Sequence, residues 1–254
     1  MSNYDLAVKM AQLFIPEDKQ VTRSIINDAA KEAIKALRER ADNIEEDKLI
    51  AYLESLYAVH IGECTILDDN IDHVQWLQDK KSEIEWDFWN RYEKYLKSKG
   101  MSPAAVRSID DITDKVLARI EDPKRTGVWD RRGMVVGHVQ SGKTGNYTGL
   151  ICKAADAGYK VIIVLAGIHN NLRSQTQLRL DEGFLGFDSQ IHRAFKKTNT
   201  RIGAGKIPTG DKWLIAHSAT SSHEKGDFNT KVANQYNVIP GGGDPVLLVV
   251  KKNK

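Results

Sequence analysis

Apolar positions recur at spacings of three and four from Asn3 to about Glu121, the periodicity of helices that bury one face. Ala29–Arg40 gathers Ala, Ile and Leu towards one side and Lys, Glu and Arg towards the other, with no internal Gly or Pro. Glu45–Ile61 repeats the pattern with Leu49, Ile50, Leu53, Leu56 and Val59. Trp76–Leu96 adds Trp86, Trp89, Tyr92 and Leu96. Aromatic residues so spaced read as the seam of a helical bundle, a base-stacking platform being the rival reading. "KGMSPAAV" at Lys99–Val106 stops one helix and starts another, with Ser102 as cap and Pro103 in the first turn.

After "EDPKRTG" the texture changes. Short β-branched runs at Met134–Val136, Lys160–Leu165, Trp213–Ala216 and Val246–Val250 now alternate with helical stretches. The first two flank a helix over Thr144–Ala157 that ends at Gly158, which predicts a β-α-β unit with parallel strands and a right-handed crossover. The reading is an α-helical domain over residues 1–125 followed by an α/β domain over 126–254.

Charge follows the same division. The net charge of +3 conceals 19 Lys and Arg against 25 Asp and Glu in residues 1–127, and 18 against 9 in residues 128–254. The second half is therefore the better candidate for an anionic partner, a nucleotide or a nucleic acid. Cys64 and Cys152 are isolated, which argues against a disulfide framework or a zinc site. The N-terminus has no basic start or apolar signal core, and the apolar runs are strand-sized, so the chain reads as cytoplasmic with no membrane partner.

Within the basic half, "GHVQSGKT" at Gly137–Thr144 fits the phosphate-binding pattern G-x-x-x-x-G-K-[ST] without a mismatch. An apolar triplet precedes it and a helix follows, the order this motif requires. Gly137 and Gly142 permit torsions that a Cβ would obstruct, so the amides around Gln140 and Ser141 can turn inward as an anion cradle. The N-terminus of the next helix adds to it. Lys143 would reach the β- and γ-phosphates of ATP, and the Thr144 hydroxyl would ligate Mg²⁺, which makes these two the candidate catalytic residues. Upstream, Trp129 and Arg131 stand where a helicase-type core contacts the adenine base, with Arg132 near phosphate. Hydrolysis needs an apolar strand ending in an acid, and "VIIVLAG", "WLIAHSAT" and "VLLVVKKNK" supply none. The chain stops directly after the last of these, so the expectation is truncation before that acid.

The strand after the loop leads to "AGIHNNLRSQTQLRLDEGFLG". Leu172 and Gln175 hold the Leu-x-x-Gln spacing of a helicase motif that faces the nucleic-acid backbone, and Asn170, Asn171 and Arg173 offer donors beside it. The rival reading is an ordinary polar helix capped by Asn170. Taken together, Trp129–Gly186 closely resembles the Z-one domain family, bacterial proteins named as endonucleases; the likeness is weaker through the helical N-terminus and "DPVLLVVKKNK". The resemblance implies a RecA-like, helicase-type P-loop ATPase core that acts on DNA, often encoded beside restriction, DNA-methylation or phage-defence genes. It also implies a remaining C-terminal part that supplies the acidic motif and a second core half. This chain carries no metal-nuclease, His-Asn-His or paired-carboxylate constellation to support cutting by itself. Two other readings stay open: a P-loop small-molecule kinase with Arg193 or Arg201 in a lid, and a non-hydrolysing nucleotide-dependent interaction module. His217, Ser218 and Thr220 suggest a later nucleic-acid contact loop, and Lys196, Lys197, Arg201 and Lys206 a phosphodiester-binding stretch.

Overall fold

The computed structural model describes residues 3–16, 21, 23–37, 44–57, 73–135, 143–235 and 243–252. The chain divides into two compact units. One comprises Met1–Asp68, Lys97–Asp111 and Met134–Lys143; the other comprises Asp69–Leu96, Ile112–Gly133 and Thr144–Lys254.

In the first unit, α1 (Asn3–Phe14), α2 (Arg23–Leu37) and α3 (Glu46–Tyr57) pack around one core. Ala7 and Ala11 of α1 meet Ala29, Ala30 and Ala33 of α2, and such small side chains allow close approach of the helices. Ile26, Leu37, Leu49 and Leu53 fill the rest. The predicted stop and start at Lys99–Val106 is present: Ser102 Oγ accepts the Ala105 N–H at 3.2 Å, and α6 (Pro103–Leu117) follows. Gly100, at φ 85°, lets Gln12 Nε2 donate to its carbonyl at 3.1 Å; a Cβ there would stand 2.5 Å from that nitrogen. The strand expected over Met134–Val136 is not formed at Met134 and Val135, which are 86% and 64% exposed and pair with no ladder. Val136 lies outside the described residues.

In the second unit the helix expected over Trp76–Leu96 is two helices, α4 (Leu77–Lys80) and α5 (Asp87–Ser98). Side-chain hydrogen bonds hold the break, one near in sequence and one distant. Trp86 Nε1 donates to Lys81 O at 3.1 Å, and Asp156 accepts the Phe88 and Trp89 N–H groups at 3.0 and 2.9 Å, an N-cap supplied from another helix. Trp89, Tyr92 and Leu96 are buried and Trp86 half-buried, so the aromatic stripe is a packing seam.

Among the described residues, three parallel strands form a sheet in the order β1 (Val161–Leu165), β3 (Val246–Val250) and β2 (His217–Ser218). β3 is central and buried at every position from Val246 to Val249, which explains its unbroken apolar run. On β1, the edge strand, Val161, Ile163 and Leu165 are exposed at 40–63%. The strand expected at Trp213–Ala216 begins instead at His217, whose N–H donates to Pro245 O at 2.9 Å. Leu214 and Ala216 are buried without joining a ladder.

Helix α8 (Asn170–Leu180) runs into a single π-helical turn, Asp181–Leu185, closed by Gly186 at φ 79°. Gly205, in the 3₁₀ turn Gly203–Lys206, crosses that glycine backbone to backbone; a Cβ on Gly205 would stand 1.9 Å from Gly186 O. A short helix, α9 (Thr230–Gln235), precedes β3. The architecture is mixed helix and parallel sheet, compatible with α/β. No described helix is long and apolar enough to cross a membrane.

Candidate nucleotide and nucleic-acid site

Gly137, Gln140, Ser141 and Gly142 of the predicted phosphate loop lie outside the described residues. The helix that follows is described. α7 (Lys143–Ala157) opens at the motif lysine, and Thr144 is exposed in its first turn, which carries no acidic residue to repel an anion. Thr144 thus presents a hydroxyl that fits a magnesium ligand, beside main-chain N–H groups that every helix start leaves without intrahelical acceptors.

The far half of α7 is anchored from several sides. Lys153, 1% exposed, pairs with Asp114, and its ammonium lies 4.5 Å from the centre of the Trp89 ring. Asp156 caps α5 as described. Burial pushes its carboxyl up to about 7, although the two N–H donors act the other way. Cys152 is fully buried and its thiol is pushed far up by desolvation, which leaves it unreactive. The helix ends at Gly158, φ 113°, whose N–H donates to Ala154 O, and β1 follows.

Trp129 and Arg131, the expected base contacts, pack within the second unit. Trp129 is half-buried and meets Tyr159 edge-on at 6.5 Å. Arg131 Nε donates to Arg119 O at 3.1 Å and lies 4.0 Å from Glu121 Oε1. Glu121 is buried among cations and donors. Desolvation alone would raise its carboxyl, but hydrogen bonds from His73 at 3.0 Å and Arg125 at 2.7 Å outweigh it and hold the group low. Arg131 is thus fixed by a carboxylate and a carbonyl, and Arg132 is exposed with Asp130 at 2.8 Å.

On α8 the expected nucleic-acid residues divide by face. Asn171, Leu172 and Gln175 are exposed and Asn170 is half-exposed. Arg173 is not on that side, which corrects the expectation for this residue. It is fully buried: Nη1 donates to Ser221 O at 2.8 Å, and Nη2 donates to His223 O and, at 3.1 Å, to Ser174 Oγ. The guanidinium holds the 221–223 loop. The helix is preceded by His169 with no side-chain cap, so Asn170 is its first residue rather than its cap.

Below Arg173, Gln177 and Asp181 continue the buried face into a closed polar network. Gln177 Nε2 donates to Asp181 Oδ1 at 2.8 Å and to Ser218 Oγ at 3.2 Å, while Thr220 Oγ1 donates to Gln177 Oε1 at 2.6 Å and accepts the Val249 N–H at 2.8 Å. Asp181 Oδ2 accepts from Ser189 N at 3.1 Å and Ser189 Oγ at 2.6 Å; burial raises this carboxyl to about 6. Ser218 and Thr220 are therefore fully buried ties between α8 and the sheet, not the contact loop expected of them. His217 Nδ1 accepts the Phe195 N–H at 3.0 Å, which leaves the proton on Nε2, 3.5 Å from Asp244. Arg193, a lid candidate under the kinase reading, donates to Ala219 O at 3.0 Å.

Two residues the sequence reading passed over sit beside its basic stretch. Phe195 and Trp213 are edge-on neighbours at 6.1 Å, and the Arg201 guanidinium lies over both rings. The available signal was aromatic residues at either end of a run of cations. No group of three or more His, Cys, Asp or Glu among the described residues is arranged to hold a metal. No family model, curated protein or solved structure matches this chain.

Proposed function

We propose that the chain is the ATP-binding part of a helicase-like ATPase that acts on DNA in a bacterial restriction or phage-defence system. One observation carries this reading: the phosphate-loop sequence ends where α7 begins, at Lys143, and α7 leads into a strand of a parallel sheet. That order is what lets loop amides and a helix N-terminus converge on one anion. Amides of 137–142 would wrap the phosphates, the Lys143 ammonium would meet the β- and γ-oxygens, and the Thr144 hydroxyl would hold magnesium, which screens charge on those oxygens. Exposed Asn171 and Gln175, with Leu172 between them, would offer DNA a mostly polar face on α8.

The strands supply the limit of the proposal. β1, β2 and β3 run into Ala166, Ala219 and Lys251, so no described strand is followed by the carboxylate that positions magnesium and water. The reading for this chain is therefore binding, with turnover assigned to the remaining C-terminal part that the family resemblance implies. Titration of a fluorescent ATP analogue with magnesium tests it. The wild-type chain should bind, and Lys143→Ala, with its melting temperature unchanged, should bind at least about tenfold more weakly, the loss of one charged phosphate contact. Equal affinity in the two proteins refutes the site.

A further inference from the structure

A second anionic surface is built on the loops between the π-helical turn and β2, and it does not depend on the phosphate loop. Residues 189–216 hold six Lys and Arg (Arg193, Lys196, Lys197, Arg201, Lys206 and Lys212) against one acid, Asp211. Two of the six are already engaged: Lys212 pairs with Glu85 and Asp87, and Arg193 bonds Ala219 O. Lys196, Lys197 and Lys206 are exposed. Arg201 lies 4.6 Å from the centre of the Phe195 ring and 5.1 Å from that of Trp213, and the Lys197 ammonium is 5.4 Å from Trp213.

Two features separate this cluster from a merely solvated basic loop. Trp213 leaves 46% of its surface exposed between those cations, a large apolar ring with a flat surface open to solvent. Arg201 Nη2 is buried with no hydrogen-bond partner, an unmet donor on a charged group. The cluster is also held in place before any ligand arrives. Phe195 N donates to His217 Nδ1, Asn199 Nδ2 to Ala194 O at 3.2 Å, Thr209 Oγ1 to Lys212 O at 2.6 Å, and Phe195 rests edge-on against the fully buried Phe187.

We infer that Phe195, Lys196, Lys197, Arg201, Lys206 and Trp213 form a binding surface for single-stranded nucleic acid. Trp213 is the stacking platform for an unpaired base, Lys196, Lys197 and Lys206 follow the phosphodiester chain, and Arg201, held over both rings, adds its charge to the field that attracts the phosphates. An unpaired strand fits better than a duplex, because an exposed ring has a use only where a base can leave its stack. It also fits better than an acidic peptide, which would use the cations and leave the indole without a flat partner.

Fluorescence anisotropy with a labelled oligothymidylate of about 20 nucleotides, on the full chain and across a salt series, tests the inference. With four cations engaged, the logarithm of affinity should fall against the logarithm of salt with a slope of roughly −3, from about −0.7 per phosphate neutralised. Trp213→Ala should weaken binding roughly tenfold at unchanged salt slope, and Trp213→Phe should restore most of it. The double change Lys196→Ala with Lys197→Ala should instead make the slope shallower by roughly 1.4. Melting temperatures confirm that each variant is folded. Binding of a matched duplex or of polyglutamate as tightly as the oligothymidylate overturns the inference, as does a folded Trp213→Ala protein of wild-type affinity. Lys143→Ala, the variant that tests the nucleotide site, should bind the oligonucleotide normally, so the two proposals fail separately.

Discussion

Arg173 is the sharpest point at which a motif reading and a packing reading of one residue can be told apart. Its position beside Leu172 and Gln175 suggests a phosphate contact, whereas the folded chain buries it completely with two backbone carbonyls and a serine hydroxyl as acceptors. Burial lowers the guanidinium pKa, while Asp227 and Asp181 nearby favour the charged form. In Arg173→Ala the carbonyls of Ser221 and His223 lose a charged donor, each such bond contributing about 1.5–3 kcal/mol, so the expected loss is about 3–5 kcal/mol. For a chain of this size that is a fall in melting temperature on the order of 10 °C, from about 2–4 °C per kcal/mol. Arg173→Lys should recover part of it, since one ammonium can reach one of the two carbonyls. Differential scanning fluorimetry reads the loss, and an oligonucleotide titration of whatever remains folded reads the contact. Asn171→Ala and Gln175→Ala, on the exposed face, should leave the melting temperature within roughly 2 °C. If Arg173→Ala melts with the wild type yet loses DNA affinity, the side chain is a contact and the packing argument is wrong.

Asp156 makes stability depend on pH in an unusual direction for a carboxylate. Its folded pKa of about 7 lies above the ordinary value of 3.8, so the folded state holds a proton that the unfolded state releases; the contribution is fully present below about pH 4 and is lost as pH rises through 7. The difference in urea-unfolding free energy between wild type and Asp156→Asn should therefore shift by up to about 1.4 kcal/mol per pH unit between pH 5 and 7 and level off above 8, and parallel profiles would contradict it. Lys153→Ala should cost about 3 kcal/mol in urea unfolding, the low end for breaking a buried pair, because Asp114 keeps Lys81. An unchanged midpoint would show that the pair contributes nothing.

The helical half was legible because its cores are simple. Ala7, Ala11, Ala29, Ala30 and Ala33 recur at helical spacing, and nothing but a helix puts them on one side. The split between α4 and α5 was not legible, because its cause is Asp156, nearly seventy residues away along the chain. Trp213–Ala216 reads as a strand since it is an unbroken short apolar run, and Leu214 and Ala216 are indeed buried. An apolar run records burial, however, and an irregular segment can bury every second side chain without a ladder. Met134–Val135 shows the converse: an apolar run long enough to suggest a strand, with both side chains in solvent.

The orientation of α8 was hidden for a different reason. Its buried face is Arg173, Gln177, Leu180 and Asp181, a set with one apolar member, so hydropathy gives the helix no preferred side. Leu172 and Gln175, expected to face a nucleic-acid backbone, are exposed, whereas Arg173 from the same stretch is buried. A face of this composition stays buried because its polar atoms, Arg173 Nε excepted, are paired: the guanidinium Nη atoms donate to two carbonyls, the Gln177 amide donates to Asp181 and Ser218 and accepts from Thr220, and Asp181 accepts from Ser189. The consequence reaches the functional reading. The chain places polar side chains on both sides of α8, and only partner geometry distinguishes those that hold the sheet from those free to meet a ligand. By that criterion Arg173, Ser218 and Thr220 belong to the scaffold, while Asn171, Gln175, Lys197 and Trp213 remain open to a nucleic acid. Polar residue type near a phosphate motif is thus weak evidence of contact, and an exposed aromatic ring among exposed lysines is stronger evidence.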